Sequence, residues 1–297
     1  MVKVGVIIVS FNTKELTDNC LDRLFQSKNQ TKFEVVVVDN NSQDQTVNLI
    51  RKKYPQVTVV ESGANLGFSK GNNLGASHIN AEYYLFLNSD TEVGDKFIDQ
   101  MLAYAQTQNK QLASCQLINR DGSFQPNGGD LPTPWPLFNW LSGFDDLTRL
   151  FGLQLPAFHR QNLDYYLQDQ IGWVGGTVLL IQASAFSQLQ GWDENIFMYG
   201  EDVDLCWRAK QMGLQVGWTN EATVLHIGGG SSKNPRQRQW IGEFTGLLYL
   251  YLKQYGLLAK FFLKLLIYAF ILLRIVAFTL TGKVDYARIY GQIITHI

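Results

Sequence analysis

The feature that most constrains the fold is a solid apolar run, Tyr84-Leu85-Phe86-Leu87, that ends abruptly in polar and acidic residues at 88–92. Four consecutive apolar side chains without alternation indicate a strand covered on both faces, as in the middle of a helix-flanked sheet. Ligands of open α/β sheets collect at the carboxyl ends of such strands, where a carboxylate can bind a divalent cation. Asp90 is therefore a candidate ligand, but Asp is equally favoured as a helix cap.

Two earlier segments repeat this pattern and set the fold class. Residues 4–9 form an apolar run before a helical pattern over 15–25, and residues 33–38 run into Asp39 before a helix over 45–54. Successive strand–helix units predict parallel strands with right-handed crossovers. The sequence thus predicts an α/β fold with a Rossmann-like, mostly parallel central sheet flanked by helices.

Three glycines at four-residue spacing, at 67, 71 and 75, follow a third, shorter strand. They match neither G-x-G-x-x-G nor a phosphate loop ending in Gly-Lys-Ser, so neither cofactor class is supported. Backbone amides at the start of the following helix, with Lys70 beside them, are candidate contacts for a nucleotide. Tight packing of the helix would explain the glycines about as often.

Composition disfavours several classes of protein. A formal net charge of -1 over 297 residues gives no support for nucleic-acid binding, which needs a strongly basic face. The three cysteines are far apart and odd in number, so they indicate neither a disulfide framework nor a zinc site and fit a reducing compartment. The apolar run at 4–9 is too short for a signal peptide, so we expect the catalytic part to be cytoplasmic.

Regular structure is expected to break between 123 and 156, where five of the seven prolines fall among aromatic residues. The pattern predicts an elaborated loop region. It is either an insertion that binds an acceptor beside a cleft or a surface excursion packed by its own aromatic side chains.

The densest group of acidic residues lies at 193–204, where five acids fall within twelve residues. Glu201, Asp202 and Asp204 occupy the first turn of a predicted helix, where the helix dipole favours negative charge. That interpretation is sufficient for the charge alone. The preceding Gly200 and aromatic loop favour a second one, in which the acids face a cleft and mutual repulsion raises their basicity.

His226 ends the last predicted strand and precedes a glycine run and the basic residues Lys233, Arg236 and Arg238. A lone histidine is usually structural. In this position it is also a candidate metal ligand. The glycine-rich, basic segment after it is typical of a lid that closes over a diphosphate.

Together these motifs resemble the family 2 glycosyltransferases of the GT-A fold, and more narrowly their bacterial rhamnosyltransferase-type members. The resemblance covers about residues 2–232, and the order of its motifs is more specific than any one of them. The motifs are Val-Ser-Phe-Asn at 9–12, Val-Asp-Asn-Asn-Ser at 38–42, Asn-Leu-Gly-Phe-Ser-Lys-Gly-Asn-Asn at 65–73, Leu-Asn-Ser-Asp at 87–90 and Met-Tyr-Gly-Glu-Asp-Val-Asp-Leu-Cys-Trp-Arg at 198–208.

The resemblance implies an inverting transfer of a sugar from a nucleotide-diphosphate donor to a glycan or lipid-linked acceptor in cell-surface polysaccharide synthesis. It implies that Asp39 contacts the pyrimidine base, and that Asp90 and His226 hold a divalent cation, Mg2+ or Mn2+. Asp202 would be the catalytic base, with Glu201 beside it. The residues implied for nucleotide-sugar binding are Ser10, Asn12, Asp39, Gly67, Lys70, Asn72, Asn88, Ser89, Asp90 and Lys233.

One departure from the family pattern concerns the metal, because the usual Asp-x-Asp is Asn88-Ser89-Asp90 here. A single carboxylate with diphosphate oxygens and water still suits magnesium. The resemblance points to dTDP-rhamnose as the donor, with UDP-sugars second, since Asp39 can pair with thymine or uracil.

Two other functions fit the sequence less well. A sugar nucleotidyltransferase would normally carry a glycine-rich loop with a basic residue after strand one, where this chain has Ser-Phe-Asn-Thr at 10–13. A non-catalytic nucleotide-binding or membrane scaffold protein would not need the clustered acids at 201–204.

The C-terminal region predicts a helical tail that lies on the membrane. Within 257–280 the longest uncharged stretch, 265–273, is shorter than the ~20 residues of a spanning helix. We therefore expect a peripheral anchor on the inner face of the cell membrane. Packing on the domain or in a dimer interface is the alternative. The predicted domains are a GT-A domain over 1–235, divided into halves 1–120 and 121–235, and a tail over 236–297.

Overall fold

The computed structural model describes residues 1–168, 170–228 and 235–297, so Lys233 lies outside the described residues. Contacts divide the chain into two units. The first comprises Met1–Leu131, His159–Phe197 and the chain from Glu201 through the last strand. The second comprises Pro132–Phe158, Met198–Gly200 and the C-terminal helices, so the Pro-rich segment groups with the tail. The boundary near residue 235 stays a prediction.

The strands and helices of the described chain follow the order expected of an α/β protein. The strands are β1 (Val2–Ser10), β2 (Phe33–Asp39), β3 (Thr58–Glu61), β4 (Ala81–Leu87), β5 (Thr91–Val93), β6 (Leu112–Ile118), β7 (Phe124–Gln125), β8 (Gly128–Gly129), β9 (Trp173–Val174), β10 (Val178–Gln182) and β11 (Val216–His226). The helices are α1 (Lys14–Gln26), α2 (Thr46–Lys53), α3 (Gly67–Ser77), α4 (Phe97–Thr107), α5 (Pro134–Ser142), α6 (Phe144–Arg149), α7 (Leu163–Tyr166), α8 (Ala183–Gln188), α9 (Glu201–Gln211), α10 (Pro235–Tyr255), α11 (Leu257–Leu280) and α12 (Val284–Ile294).

The core of the first unit is a sheet in the order β3-β2-β1-β4-β10-β6-β11-β5. β1 pairs in parallel with β2 and β4, and β2 pairs in parallel with β3. β10 then runs antiparallel to both β4 and β6, and β5 runs antiparallel to β11. The predicted α/β class is confirmed, with its parallel strands concentrated in the first half of the chain.

The apolar run in β4 lies in the middle of this sheet, as predicted. β1 pairs with one edge of β4 and β10 with the other. Leu85 and Phe86 are fully buried because both faces are covered: Phe86 packs against Phe186 and Trp192, and Leu85 packs into the main core cluster. Asp90 follows this strand and precedes β5, which is a strand and not a helix. The structure thereby excludes the helix-cap interpretation of Asp90.

The segment 123–156 is more regular than predicted, because it contains the helices α5 and α6. Pro134 and Pro136 fall in the first turn of α5, where a missing backbone N–H leaves no helical hydrogen bond unmade. The prolines therefore start this helix instead of breaking it.

β11 is also longer than the two short strands that the sequence indicated. It runs without interruption from Val216 to His226, and its pairing with β6 shifts register between Thr219 and Thr223. Such an irregularity interrupts the apolar alternation while the strand continues. The two apolar patches thus belong to one strand, which carries His226 at its end.

The tail is correctly predicted to be helical, and α11 covers the predicted range 257–280. α11 is one helix of 24 residues, and within the described chain it is the one helix long and apolar enough to cross a membrane. The apolar part of α11 is longer than its uncharged stretch 265–273, because a membrane-spanning window can include one or two charged residues. Length and composition therefore do not by themselves exclude a membrane span.

α3 packs unusually close to the sheet. A Cβ atom added to Gly75 would lie 2.5 Å from Cγ2 of Ile7, and one added to Gly71 would lie 3.0 Å from Cγ1 of Val9. Both glycines are therefore required for the packing of this helix, which supports the structural explanation of their spacing.

We expect Gly75→Ala to lower the free energy of unfolding by about 1–3 kcal/mol, because the new methyl group overpacks the contact with Ile7. Gly291→Ala, inside α12 with no atom within 4 Å of the added methyl, should instead raise it by up to about 1 kcal/mol. Chemical denaturation of both variants measures this. Equal changes of the same sign would contradict the close packing of α3.

Candidate active site

The parallel strands bring the predicted nucleotide-binding residues to one edge of the sheet. Ser10 at the end of β1 lies opposite Asp39 at the end of β2. The hydroxyl group of Ser89, after β4, lies 3.2 Å from that of Thr13. Residues distant in sequence thus converge because the three strands run in the same direction.

Asp39 has one carboxylate oxygen that the protein does not use. Its Oδ2 accepts the backbone N–H of Ser42 at 2.8 Å. Only 2% of the residue is exposed, and its buried Oδ1 has no hydrogen-bond partner among the described residues. Because an unpaired buried acceptor is costly, this oxygen is suited to an N–H donor from a bound ligand.

Asn12 joins the loops that follow β1 and β2. Its backbone N–H donates to Oγ of Ser42 at 2.9 Å, and its Oδ1 accepts the backbone N–H of Gln43 at 2.8 Å. Asn12 thereby holds the loop beside Asp39, and its own predicted contact with a nucleotide sugar stays a prediction.

The predicted contacts on α3 have mixed surroundings. Gly67 has a φ of 79°, and a Cβ there would clash with the carbonyl oxygen of Phe197. Asn72 is buried and its Nδ2 donates to the carbonyl of Phe68. Lys70 is exposed. Gly67 and Asn72 therefore have structural partners in the protein, and the assignment of all three to nucleotide binding stays a prediction.

The structure brings together the two predicted metal ligands. Nε2 of His226 lies 3.4 Å from Oδ1 of Asp90, because β11 pairs with β5 and sets His226 opposite Thr91. Nδ1 of His226 lies 2.9 Å from Oε1 of Gln125. A proton on Nδ1 satisfies that carbonyl oxygen, and this tautomer directs the Nε2 lone pair towards the carboxylate.

Two lone-pair donors that face each other suit a shared cation. A carboxylate is a ligand of both Mg2+ and Mn2+, and an imidazole suits Mn2+ better than the harder Mg2+. Both cations also accept diphosphate oxygens and water. Among the residues that the structure describes, no cluster of three or more His, Cys, Asp or Glu side chains is suited to a metal. Asp90 and His226 thus fit a divalent cation whose remaining ligands come from a bound substrate.

Asp202, in the first turn of α9, is held by two backbone donors. The N–H of Gly176 donates to its Oδ2 at 3.0 Å, and the N–H of Val203 donates to its Oδ1 at 2.8 Å. The pKa of Asp202 is raised above its ordinary value, because the effect of burial exceeds the opposing effects of these two N–H groups and of His159. The result is a fixed carboxyl group of raised basicity.

A short chain of contacts links Asp202 with Asp90. Gly176, which binds Asp202, is followed by Thr177, whose carbonyl accepts the backbone N–H of Asn88 at 2.9 Å. Asn88 stands two residues before Asp90. The pairing of β10 with β4 therefore connects the candidate base to the candidate cation site through two backbone hydrogen bonds.

The other two acids of this group differ from Asp202. Asp204 is fully buried, and its Oδ2 accepts Nε of Arg208 at 2.7 Å. Arg208 also donates to the carbonyl groups of Leu189 and Gly191, which completes a structural ion pair. Glu201 is buried at the start of α9. Asp204 thus has a structural role at the start of the helix.

Sequence analysis missed two residues of this site. Gln125 lies in the two-residue strand β7, and His159 packs its ring against that of Trp173. The one available signal was that His159 is among only four histidines in the chain. Gln125 carried none, because its contact with His226 joins positions 101 residues apart.

The raised pKa of Asp202 predicts a pH-dependent stability. A carboxyl group whose folded pKa exceeds its unfolded value favours folding most below the unfolded pKa and loses that contribution as pH rises through the folded pKa. We expect the free energy of unfolding of the wild type, relative to that of Asp202→Asn, to fall as pH rises above the ordinary value of 3.8. Melting temperatures of both proteins across this range measure it. Parallel curves would contradict the raised pKa.

Two models of known protein families match the chain. The family model described as Glycosyl transferase family 2 matches residues 5–162, which is more than half of the chain. A second model, Glycosyl transferase family group 2, matches residues 85–290. The two matches together include β1, β4, the acid group and β11.

Curated relatives include named transferases. The chain is 27% identical to the low-salt glycan biosynthesis hexosyltransferase Agl10 of Haloferax volcanii, over 75% of this chain and 66% of the relative. It is 28% identical to the N-acetylglucosaminyl-diphospho-decaprenol L-rhamnosyltransferase of Mycobacterium tuberculosis, over 65% and 66%. It is 23% identical to the rhamnosyltransferase WbbL of Escherichia coli, over 75% and 83%. The match thus spans just under two thirds of the first two relatives.

Solved structures share the fold. GalNAc-T7 with UDP, GalNAc and Mn2+ superposes with a TM-score of 0.58 at 14% identity, over 82% of this chain and 47% of that one. TarS 1-349 of S. aureus in complex with UDP superposes with a TM-score of 0.51 at 16% identity, over 83% and 65%. The GT-A fold and the rhamnosyltransferase-like resemblance are confirmed, and the chain belongs to glycosyl transferase family 2.

Proposed function

We propose that the protein is an inverting glycosyltransferase that moves a sugar from a nucleotide-diphosphate donor to a hydroxyl group of a glycan or lipid-linked acceptor. The observation that carries the proposal is the chain of contacts from Asp202 through Gly176 and Thr177 to Asn88, two residues before Asp90. Direct displacement at an anomeric carbon needs a base for the attacking hydroxyl group and stabilisation of the leaving group. This arrangement offers both within one site.

Asp202 is the proposed base. It takes the proton of the acceptor hydroxyl group as the oxygen attacks the anomeric carbon, and a single displacement inverts that carbon. The raised pKa of Asp202 increases the proton affinity of the carboxylate. The N–H groups of Gly176 and Val203 orient its two oxygens, so that the carboxylate is held in place before the acceptor binds.

Asp90 and His226 are proposed to hold a divalent cation at the donor diphosphate. Such a cation, when bound, neutralises negative charge on the departing nucleoside diphosphate. Gln125 orients His226 through Nδ1. Lys233, which lies outside the described residues, is proposed to add positive charge from the segment after β11.

Asp39 is proposed to read the nucleotide base. Its unpaired Oδ1 accepts the N3–H of uracil or thymine, whereas cytosine has no hydrogen at N3. Similarity to two rhamnosyltransferases favours dTDP-rhamnose as the donor. A UDP-sugar is the alternative, and similarity to TarS with bound UDP supports it.

The acceptor and the location are proposed from the same relatives. The name of the mycobacterial relative includes a sugar linked through diphosphate to decaprenol, which is a lipid-linked acceptor. We propose an acceptor of this class, used in cell-surface polysaccharide synthesis. The enzyme would then act in the cytoplasm as a peripheral protein on the inner face of the cell membrane.

Replacement of the base tests the proposed chemistry. Asp202→Asn should lower the rate of transfer by about 10²–10⁴, because general-base catalysis is worth that much, while donor affinity changes little. Glu201→Gln should keep most of the rate. Asp204→Asn should mainly lower the free energy of unfolding, by about 3–5 kcal/mol, because it leaves Arg208 buried without its charge partner.

Donor affinity, turnover and melting temperature are measured together on the three variants. Near-normal transfer by Asp202→Asn, or loss of turnover in Glu201→Gln with donor affinity intact, would show that the base is misassigned.

The cation is tested through donor binding. We expect Mn2+ or Mg2+ to tighten the binding of UDP or dTDP to the wild type, and Asp90→Ala to abolish that dependence because only His226 remains as a ligand. Calorimetric titration with and without a chelator measures it, with Asp95→Ala, an exposed acid in a surface ion pair, as the control. Chelator-resistant binding and turnover in the wild type would refute the cation.

A further inference from the structure

α11 presents an apolar face to the outside of the second unit. The residues of this outer face are large and well exposed, with Phe262 at 60%, Leu273 at 62% and Leu280 at 82%. Only 17% of the most apolar window of the helix is buried. The outer face also includes Leu258, Leu265 and Val276.

The charged residues of α11 lie on the opposite side. Leu263, Ile267 and Ile271 are buried, and at about 100° per residue they form one inner line of the helix. Lys260 and Arg274 project towards that inner line and are partly covered. This is the reverse of a surface helix of a soluble protein, whose polar side faces water. The outer face is thus built for an apolar environment.

The inner side of α11 is hydrogen-bonded to other elements of the second unit. The hydroxyl group of Tyr268 donates to the carbonyl oxygen of Ile297 at 2.8 Å. Arg274 donates to the carbonyl oxygen of Leu141 at 3.1 Å and to the hydroxyl group of Tyr290 at 3.1 Å. A helix that crossed a bilayer would have to give up these bonds and the packing of the inner line. The contacts therefore favour a helix that lies in the membrane plane.

A second apolar element adjoins α11. Trp135 stacks on Phe138 with ring centroids 6.0 Å apart, and Phe138 meets Phe270 of α11 at 6.1 Å. Trp135 is 53% exposed. Tryptophan is enriched at the boundary between acyl chains and headgroups. The exposed aromatic pair of α5 therefore extends the outer face with a side chain suited to that boundary.

Charge selects between a membrane and a second copy of the chain as the occupant. Residues 253–297 carry six Lys and Arg but one Asp, in a chain whose net charge is -1. Two of the six, Lys253 and Lys283, are exposed and stand at the two ends of α11. Two copies packed on the outer face would bring these like charges together, whereas anionic headgroups attract them, by about 1 kcal/mol per basic residue near the surface. The charge of the tail complements anionic lipid.

We propose that the second unit is a monotopic membrane-binding module, in which the outer face of α11 and the Trp135–Phe138 pair enter one leaflet of an anionic bilayer without crossing it. Lys253 and Lys283, which are exposed at the two ends of α11, would then lie at the level of the headgroups. The inference rests on the proposed peripheral location, and not on the proposed chemistry of transfer.

Flotation with vesicles of phosphatidylglycerol and phosphatidylcholine tests the outer face. The wild type should float with these vesicles and poorly with phosphatidylcholine alone. The triple variant Phe262→Ser, Leu265→Ser and Leu273→Ser should lose at least about tenfold in binding, since each substitution removes an exposed apolar side chain that the bilayer would bury. Met212→Ser, an exposed apolar residue of the first unit, is the matched control and should float normally. Equal flotation of the triple variant and the control would overturn the proposal.

Labelling distinguishes an in-plane from a spanning helix. The three native cysteines are buried, so an introduced thiol is the accessible one. Lys253→Cys lies before the start of α11 and Lys283→Cys lies after its end. In sealed membrane vesicles prepared from the expressing cells, both thiols should react with a membrane-impermeant maleimide from the same side of the membrane. Reaction of the two positions from opposite faces would show a membrane span and overturn the proposal.

Two further measurements separate the remaining outcomes. A lipid-free dimer that the triple variant dissociates, with flotation unchanged, would assign the outer face to a second copy and overturn the proposal. Donor hydrolysis is measured without lipid, so turnover without flotation would overturn the membrane module alone. Flotation without turnover would support the module and count against the proposed chemistry.

Discussion

The site depends on the position of β4 between a parallel neighbour, β1, and an antiparallel neighbour, β10. Its parallel bonds to β1 align the ends of the first strands, which brings Asp39 to the same edge as Asn88. Its antiparallel bonds to β10 bring Gly176, and with it Asp202, to that edge from the other half of the chain. One buried strand thus positions the residues proposed for nucleotide binding and those proposed for catalysis.

Burial gives neighbouring acids different chemistry. Asp204 is buried against the guanidinium group of Arg208, so its charge is balanced and its role is structural. Asp202, two residues earlier, accepts backbone N–H groups alone among the residues that the structure describes, and burial raises its pKa. The same helix start therefore provides both a structural ion pair and a carboxyl group of raised basicity. Helix-dipole arguments alone would have treated the two acids as equivalent.

The sequence predicted what local patterns determine. The buried run of β4 and the strand–helix repeats follow from apolar runs and from polar residues at strand ends. The proximity of Asp90 to His226 was implied by the family resemblance, and the structure shows it. The contact of Gln125 with His226 was not predictable, because it depends on how a two-residue strand pairs with β6. The helix at Pro134 was missed because proline breaks a helix or starts one depending on a boundary that composition does not reveal.

The proposed nucleotide site depends most directly on Oδ1 of Asp39, which has no hydrogen-bond partner among the described residues, and the nucleotide preference of the protein tests it. UDP and dTDP should raise the melting temperature of the wild type, and CDP should not, because cytosine carries a lone pair at N3. In Asp39→Asn the N–H of Ser42 keeps the side-chain oxygen at the Oδ2 position, so the amide group replaces Oδ1 with a donor. This variant should lose stabilisation by UDP and gain it from CDP. Equal stabilisation of the wild type by UDP and CDP, or an unchanged preference in Asp39→Asn, would contradict the account.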